Sequence, residues 1–179
     1  MNKNVKLYIP RLEDLWYRQK LMQDPATMSY NKGYDLSFDG YDKTTGCITF
    51  PQEKWKDWHE YFINHEPQRF YAYFVDESNG AFIGEVNVHR NEGAAWHEMG
   101  IVIEAEYRRQ GYGKAGLQQL LDYAFETLNI DAIHNDFEKE RDSALSMHLD
   151  AGFSIYKNNP ETIEVLLDRE EYLQRKASL

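Results

Sequence analysis

The chain has 179 residues, and its 20 Lys and Arg stand against 30 Asp and Glu, which gives a formal net charge of −10. Aromatic residues make up 15% of the chain, which excludes a largely disordered protein, because disordered segments are depleted in them. No apolar run is long enough to span a membrane, and the first ten residues lack the apolar stretch of a secretion signal. We therefore expect one domain over residues 1–179 and no membrane partner.

The acidic charge and the single cysteine, Cys47, bear on partners and location. A pI near 5.0 argues against nucleic-acid binding, because contacts to phosphates need a basic face. One thiol cannot form an internal disulfide and is too few for a cysteine-based zinc site. A reducing, cytoplasmic location is the simplest interpretation.

The first part of the chain predicts a strand at 5–9 and a helix over 11–23, which Asp24-Pro25 ends. The apolar face predicted for this helix consists of Leu12, Leu15, Trp16 and Met22. Residues 26–50 are polar and predict a loop, which at about 25 residues is long for a compact domain. Apolar residues at helical spacing after Pro51 predict a second helix over 51–64.

The middle of the chain changes to the period of strands. Runs at 69–75, 81–89 and 95–103 are separated by the turn signals 76–80 and 91–93, and they predict an antiparallel meander. Such meanders commonly leave one face to solvent, which is one interpretation of the polar row along 81–89.

The last part returns to the helical period. Apolar residues recur at helical spacing from Gly111 to Leu128. The elements predicted after it are a strand at 130–137, a helix at 141–151 ended by Gly152, and strands at 153–156 and 162–167. This order of elements predicts an α/β (α+β) fold with helices on the faces of one sheet.

The segment 101–116 carries the clearest chemical signal. It joins the end of a strand to a helix through a loop with Arg108 and Arg109, and Gly111-Tyr112-Gly113 opens the helix. The first amides of a helix have no internal partner and carry the positive end of its dipole, so they can bind a phosphate. Neither the P-loop nor the dinucleotide fingerprint is present. A tight turn with solvated arginines is an equally good interpretation of the residues alone.

The motif Arg108-Arg109-Gln110-Gly111-Tyr112-Gly113 resembles the Arg/Gln-x-x-Gly-x-Gly/Ala motif of the GNAT (Gcn5-related) N-acetyltransferase superfamily. Residues 98–103 resemble the fourth strand of that family, and 149–153 resemble the end of its fourth helix. The resemblance implies a mixed sheet of about seven strands, splayed between strands 4 and 5, with helices on both faces.

The resemblance also implies that acetyl-CoA binds in the splay as cosubstrate. The pyrophosphate would lie on the amides of Gln110, Gly111, Tyr112, Gly113 and Lys114, near Arg108 and Arg109. The pantetheine would run along the backbone of Ile101, Val102 and Ile103. Arg141 stands where the family often has Asn, and it either contacts a CoA phosphate or is a surface arginine.

For the proton transfers, the resemblance implies three candidates. Counting back from Gly111 places the general base at His97 or its neighbour Glu98, acting directly or through water. His148 stands where the family usually has the Tyr that acts as general acid, and a packed core histidine is an equally good interpretation. Glu85, Asn87 and His89 either line the acceptor site or form the wet face of the sheet.

The expected reaction is transfer of an acetyl group from acetyl-CoA to an amine of a small molecule or peptide. The alternatives are a CoA-binding sensor without catalysis and an enzyme that transfers another acyl group. No metal is expected, because the histidines lack ligand spacing with a paired carboxylate. The aromatic loop 26–50 is expected to close over the acceptor site, and a homodimer is possible.

Overall fold

The computed structural model describes residues 3–178, and its centre is one seven-stranded sheet in the order β1-β2-β3-β4-β5-β7-β6. The strands are β1 (Val5–Tyr8), β2 (Arg69–Asp76), β3 (Phe82–His89), β4 (His97–Ile103), β5 (Ala132–Glu138), β6 (Ser154–Asn158) and β7 (Thr162–Asp168). Neighbouring strands are antiparallel except β4 and β5, which are parallel. The sheet is therefore mixed, as expected.

Helices cover both faces of this sheet. They are α1 (Trp16–Gln23), α2 (Pro25–Met28), α3 (Trp55–Phe62), α4 (Tyr112–Asp122), α5 (Asp142–Ala151) and α6 (Arg169–Ala177). A π-helical turn, Tyr123–Thr127, extends α4. None of the helices in residues 3–178 is long and apolar enough to cross a membrane.

Strand β2 is buried on both faces, because a separate apolar cluster lies on each side of it. On one side Phe70 and Phe74 pack with the apolar face of α4. On the other side Tyr71 and Tyr73 pack with residues of α1 and its neighbours, such as Leu21. Burial of alternate side chains on opposite faces explains why this strand has a nearly continuous apolar sequence.

The ladder between β4 and β5 is much shorter than the others. It consists of the register pairs His97↔Ile133 and Glu98↔His134, whereas β3 and β4 stay paired from His89 to Gly84. Beyond Glu98 the two strands diverge and leave the edge of β4 that faces β5 without a strand partner in the described chain. The predicted splay between strands 4 and 5 is confirmed.

Three local predictions need correction. The first helix begins as a 3-10 turn, Leu12–Leu15, whose three residues per turn change the phase of the helix. As a result Trp16 is exposed, and Tyr17 is buried in its place. The segment 26–50, which the sequence predicts to be a loop, instead begins inside helix α2. The Asp24 side chain caps this helix by accepting hydrogen bonds from its first amides.

The helix α6 was not expected at all. Its sequence is strongly charged and has little apolar periodicity. Asp168 caps it by accepting a hydrogen bond from the Glu171 amide, and Tyr172 is the residue that the helix buries against the core. A single anchoring side chain gives almost no signal in a search for apolar spacing.

Candidate active site

A cleft of about 1210 Å³ crosses the sheet where β4 and β5 diverge. Its middle is formed by β4, β5 and the facing side of α5. One end, which we call the cradle, is lined by Arg108, Arg109, Gly111, Gly113 and Lys114. The other, which we call the acceptor end, is lined by Arg18, Trp58, Phe62, Tyr71, Glu85 and Asn87. One continuous cavity therefore joins a basic loop to an aromatic pocket.

The cradle has the backbone of an anion site. Gly111 is the N-cap of α4 with a φ of 91°, and Arg109 has a φ of 59°, so two residues of the loop are left-handed. Such turns bring successive amides to one side as a nest. The cap has no side-chain hydrogen bond, so the first amides of α4 are not satisfied by a capping side chain. This geometry fits a bound pyrophosphate.

The side chains around the cradle differ from one another in role. The Tyr112 hydroxyl donates to Asp76 Oδ2 at 2.5 Å, so its ring belongs to the core and only its amide faces the loop. The Gln110 side chain donates to the Glu106 carbonyl at 2.6 Å. Lys114 is exposed and lies 3.3 Å from Asp150 across the cleft. Of the cradle residues, Lys114 and Arg109 have exposed or half-exposed cationic groups beside the amides.

Arg108 is a structural clamp rather than a free phosphate ligand. Its three nitrogens donate to the carbonyls of Ile103 at 3.0 Å, Ala26 at 3.1 Å and Thr27 at 2.5 Å. Burial lowers the pKa of this guanidinium. Arg108 therefore ties α2 to the end of β4, although the sequence places it with the cofactor-binding residues.

In the middle of the cleft, β4 presents the three predicted backbone positions Ile101, Val102 and Ile103. Arg141 precedes α5 and lies with its guanidinium carbon 5.3 Å from the centre of the Tyr30 ring. Its Nη1 is 3.5 Å from Glu138, a long contact that leaves the group available to the cleft. These four residues all line the cleft.

The acceptor end contains a buried ion pair. Arg18 Nη1 lies 2.5 Å from Glu85 Oε1, and the Tyr71 hydroxyl donates to Glu85 Oε2. Burial alone would lower the pKa of Arg18, but Glu85 raises it, so the guanidinium stays charged. Burial and then Glu85 raise the pKa of Tyr71 well above its usual value, so Tyr71 is a neutral donor.

His97 and Glu98 do not line the cleft. His97 points to the face of β4 that carries Met99, and its Nε2 is 2.8 Å from the Pro67 carbonyl. Glu98 accepts hydrogen bonds from Trp96 and His134, each at 2.7 Å. Counting from Gly111 could not show to which face either side chain points. The structure does not bring this pair to the reacting centre.

Of the predicted acceptor residues, Glu85 and Asn87 line the cleft and His89 does not. His89 pairs with Glu98 at the far end of β3, away from the splay. Burial lowers its pKa. The polar row on β3 is therefore divided, because only its members beside Gly100 and Val102 face the open part of the sheet.

His148 lines the cleft but is a packed, neutral ring. It is 1% exposed, its Nδ1 lies 2.7 Å from the Ala144 carbonyl, and its Nε2 lies 3.0 Å from the Asn135 amide nitrogen. The carbonyl requires a proton on Nδ1, so Nε2 accepts from Asn135. Burial lowers the pKa of this ring. An imidazole with both nitrogens bonded is not a ready proton donor, and it holds Asn135 in place.

Two residues in the cleft were missed or only partly indicated by the sequence. Tyr30 comes from the long loop, and its hydroxyl forms no hydrogen bond with any residue in 3–178. Burial raises the pKa of Tyr30 to about 12. Arg18 sits at a polar position of a predicted amphipathic helix and gave no signal of its own. The part of the loop that reaches the cleft is Met28, Ser29, Tyr30 and Ile48, whereas Tyr34 and Phe38 are exposed.

No group of three or more His, Cys, Asp or Glu within residues 3–178 is arranged to hold a metal ion. This finding concerns protein ligands only. The pattern of cradle amides, free β4 edge and aromatic pocket instead fits a long phosphate-bearing cosubstrate and a small second substrate.

Comparisons with known proteins agree with this geometry. No curated protein matches the sequence. Spermidine N-acetyltransferase from Vibrio cholerae in complex with CoA and spermine has a similar structure, with 18% identity, a TM-score of 0.74, and coverage of 95% of this chain and 98% of that chain. A dodecameric structure of spermidine N-acetyltransferase from the same organism has 17% identity, a TM-score of 0.72, and coverage of 96% and 98%. Residues 34–153 match the model of the acetyltransferase (GNAT) family. The chain therefore belongs to the acetyltransferase (GNAT) family and is an N-acetyltransferase that takes its acetyl group from acetyl-CoA.

Proposed function

We propose that the enzyme acetylates the primary amine of a small molecule that enters at the acceptor end. One observation carries this proposal: a single cavity connects the cradle, the free edge of β4 and the pocket around Glu85. The cradle amides of residues 110–114 hold the pyrophosphate, with Arg109, Lys114 and Arg141 beside them. The backbone of Ile101–Ile103 takes the place of the missing ladder partner for the pantetheine. The bound cosubstrate supplies an activated acetyl group at the splay.

The walls of the acceptor end favour a small acceptor over a protein side chain. Trp58, Phe62 and Tyr71 enclose it, and Arg18 and Glu85 close its inner side. A concave, largely aromatic pocket with a few polar groups is typical of small-molecule sites. The net charge of −10 adds steering for a cationic amine.

For the proton transfers we propose Glu85 as acceptor and Tyr30 as donor. Glu85 is the carboxylate that lines the acceptor end, and each of its oxygens keeps a free lone pair beside Arg18 and Tyr71. It can take the proton of the amine directly or through one water. Tyr30 lines the cleft next to Arg141, and its hydroxyl has no hydrogen-bond partner within residues 3–178. It can donate to the leaving thiolate.

The structural neighbours act on spermidine and spermine, and spermidine belongs in any panel of acceptors. A polyamine needs several negative charges in its site. Among the described residues, the acceptor end of this chain has one carboxylate, Glu85, and Arg18 is already paired with it. We therefore base the proposal on a small molecule with a single primary amine, and spermidine serves as a test arm.

The experiment is release of free thiol from acetyl-CoA with a panel of amines. Gly111→Asp places a carboxylate in the cradle and is expected to abolish acetyl-CoA binding and turnover. The matched control is Gly93→Asp, because Gly93 also has a positive φ and open space around it but lies in a turn away from the cleft. Equal loss in both variants would mean backbone strain and not phosphate binding. Tight acetyl-CoA binding without any amine-stimulated release would refute the proposal.

The proposal also includes the oligomeric state of the enzyme. The edge strand β6 is exposed along its whole length, and it carries Ile155 and Tyr156 on the surface, which supports a homodimer or a larger assembly. Light scattering of the purified enzyme distinguishes these states from a monomer.

Cys47 is a free, half-buried thiol, which agrees with the proposal of a reducing, cytoplasmic compartment. We also keep the proposal that the chain acts as one domain.

A further inference from the structure

Arg18 uses only one edge of its guanidinium. Its Nη1 donates to Glu85 Oε1 at 2.5 Å and lies 3.4 Å from the Tyr71 hydroxyl. Its Nε is buried and has no hydrogen-bond partner within residues 3–178, and the hydrogen bonds that Arg18 forms there use its backbone amide and Nη1 but not Nη2. Nε and Nη2 together form the fork that binds a carboxylate by two parallel hydrogen bonds. In this structure Nε is closed to solvent, so Nη2 is the unpaired donor of this edge that a carboxylate can reach.

The guanidinium is held rigidly in the acceptor end. Its central carbon lies 4.6 Å from the centre of the Trp58 ring, 5.3 Å from that of Phe50 and 5.5 Å from that of Tyr71. The Arg18 side chain is 18% exposed and lines the cleft. A group fixed in this way loses little conformational freedom when a ligand binds. A buried donor without a partner is unfavourable until a ligand supplies the acceptor.

The charges of this end also define what the pocket accepts. Glu85 is the one carboxylate among the described residues that line it, and Arg18 neutralises it. The other acidic residues of the cleft lie across the splay, on β5, α5 and the segment between them. Because Arg18 offsets the charge of Glu85, the described residues of this end offer no further carboxylate for the second amine of a polycation, whereas a molecule with one amine and one carboxylate can place its amine beside Glu85 and its carboxylate beside Arg18.

We infer that the acceptor is an amino-acid-like small molecule, whose carboxylate binds the free Nη2 of Arg18 while its amino group lies beside Glu85. This inference rests on the proposed function and names its substrate class. Arg18 then determines specificity and does not take part in the bond changes. The side chain of the acceptor would occupy the aromatic wall formed by Trp58 and Phe62.

The test compares kcat/KM for free amino acids with kcat/KM for their carboxamides, with spermidine as a third arm, at saturating acetyl-CoA. The amine of a carboxamide loses its proton more readily, so chemical reactivity alone favours the amide. We expect the acids to be preferred. Arg18→Lys keeps a positive charge beside Glu85 but removes Nη2, and we expect it to lower the ratio of kcat/KM for the acids to kcat/KM for the amides about 10- to 100-fold.

The control is Arg69→Lys, because Arg69 also packs on an aromatic ring, that of Tyr61, but lies outside the cleft. It should leave the ratio of acid to amide unchanged. Equal turnover of acids and amides, or a preference for spermidine, would overturn the inference and leave the acetyltransferase activity standing. If no amine is turned over, calorimetry with N-acetyl amino acids decides: binding that Arg18→Lys removes supports the carboxylate receptor, and no binding to the wild type overturns it.

Discussion

The role of Arg108 gives the sharpest test of how this site is built. Arg108→Gln removes the hydrogen bonds to Ile103, Ala26 and Thr27 that tie α2 to the end of β4. Each hydrogen bond from a charged group contributes about 1.5–3 kcal/mol, and partial exposure reduces the sum, so we expect a loss of about 2–3 kcal/mol in the free energy of unfolding. For a chain of this size that corresponds to a fall in Tm of roughly 5–10 °C.

The assay combines thermal unfolding with the affinity for acetyl-CoA, and Arg109→Gln is the matched control. Arg109 forms no hydrogen bond or ion pair within residues 3–178, yet its guanidinium lies at the cradle. We expect Arg109→Gln to keep its Tm within about 1 °C and to weaken acetyl-CoA binding, since it removes a phosphate partner. The reasoning is refuted if Arg108→Gln unfolds like the wild type and loses acetyl-CoA affinity instead.

Three further changes test other parts of the structure. Gly116→Ala would place its Cβ 2.8 Å from the buried Phe74 ring, so we expect a loss of about 1–3 kcal/mol in urea unfolding despite the better helix propensity of Ala, and Phe74→Leu in the same chain should restore part of it. Burial lowers the pKa of His148, as it does for His89 and His97, so the unfolded chain binds more protons below about pH 6.5 and stability should fall from there as the pH decreases. His148→Gln should make that dependence less steep in urea titrations at pH 7 and pH 5.5, and an unchanged slope would contradict a neutral buried ring. Tyr30→Phe should lower kcat about 100-fold while acetyl-CoA affinity stays the same, and an unchanged kcat would exclude Tyr30 as the proton donor.

The parts of the fold that follow from periodicity were predictable. The meander, the helix after Gly111 and the cap at Gly152 depend on local spacing and on backbone conformations that glycine favours, and the structure has each of them close to its predicted range. The family motif then implied the splay, which is a property of register between distant strands. No local pattern in β4 or β5 would have indicated it.

The site was less predictable, because its side chains meet through tertiary packing. The face to which His97 points depends on the pleat of β4, which a count along the chain does not contain. The position of His148 in the sequence fits both a packed core residue and a proton donor. Its hydrogen-bond partners in the structure, the Ala144 carbonyl and Asn135, favour the packed residue. Arg18 meets Glu85 across 67 positions of sequence, so neither residue alone indicates the pair.

The short ladder between β4 and β5 has a mechanical consequence. The two halves of the sheet are joined by two residue pairs and by the helices that bridge them, and no other pair of neighbouring strands in the described sheet has so few register pairs. If acetyl-CoA binds along the free edge of β4, as we propose, its contacts with both halves of the sheet add to the few that join them. Ligand at 100 times its dissociation constant stabilises a fold by about 2.7 kcal/mol, so we expect saturating acetyl-CoA to slow proteolysis of the enzyme.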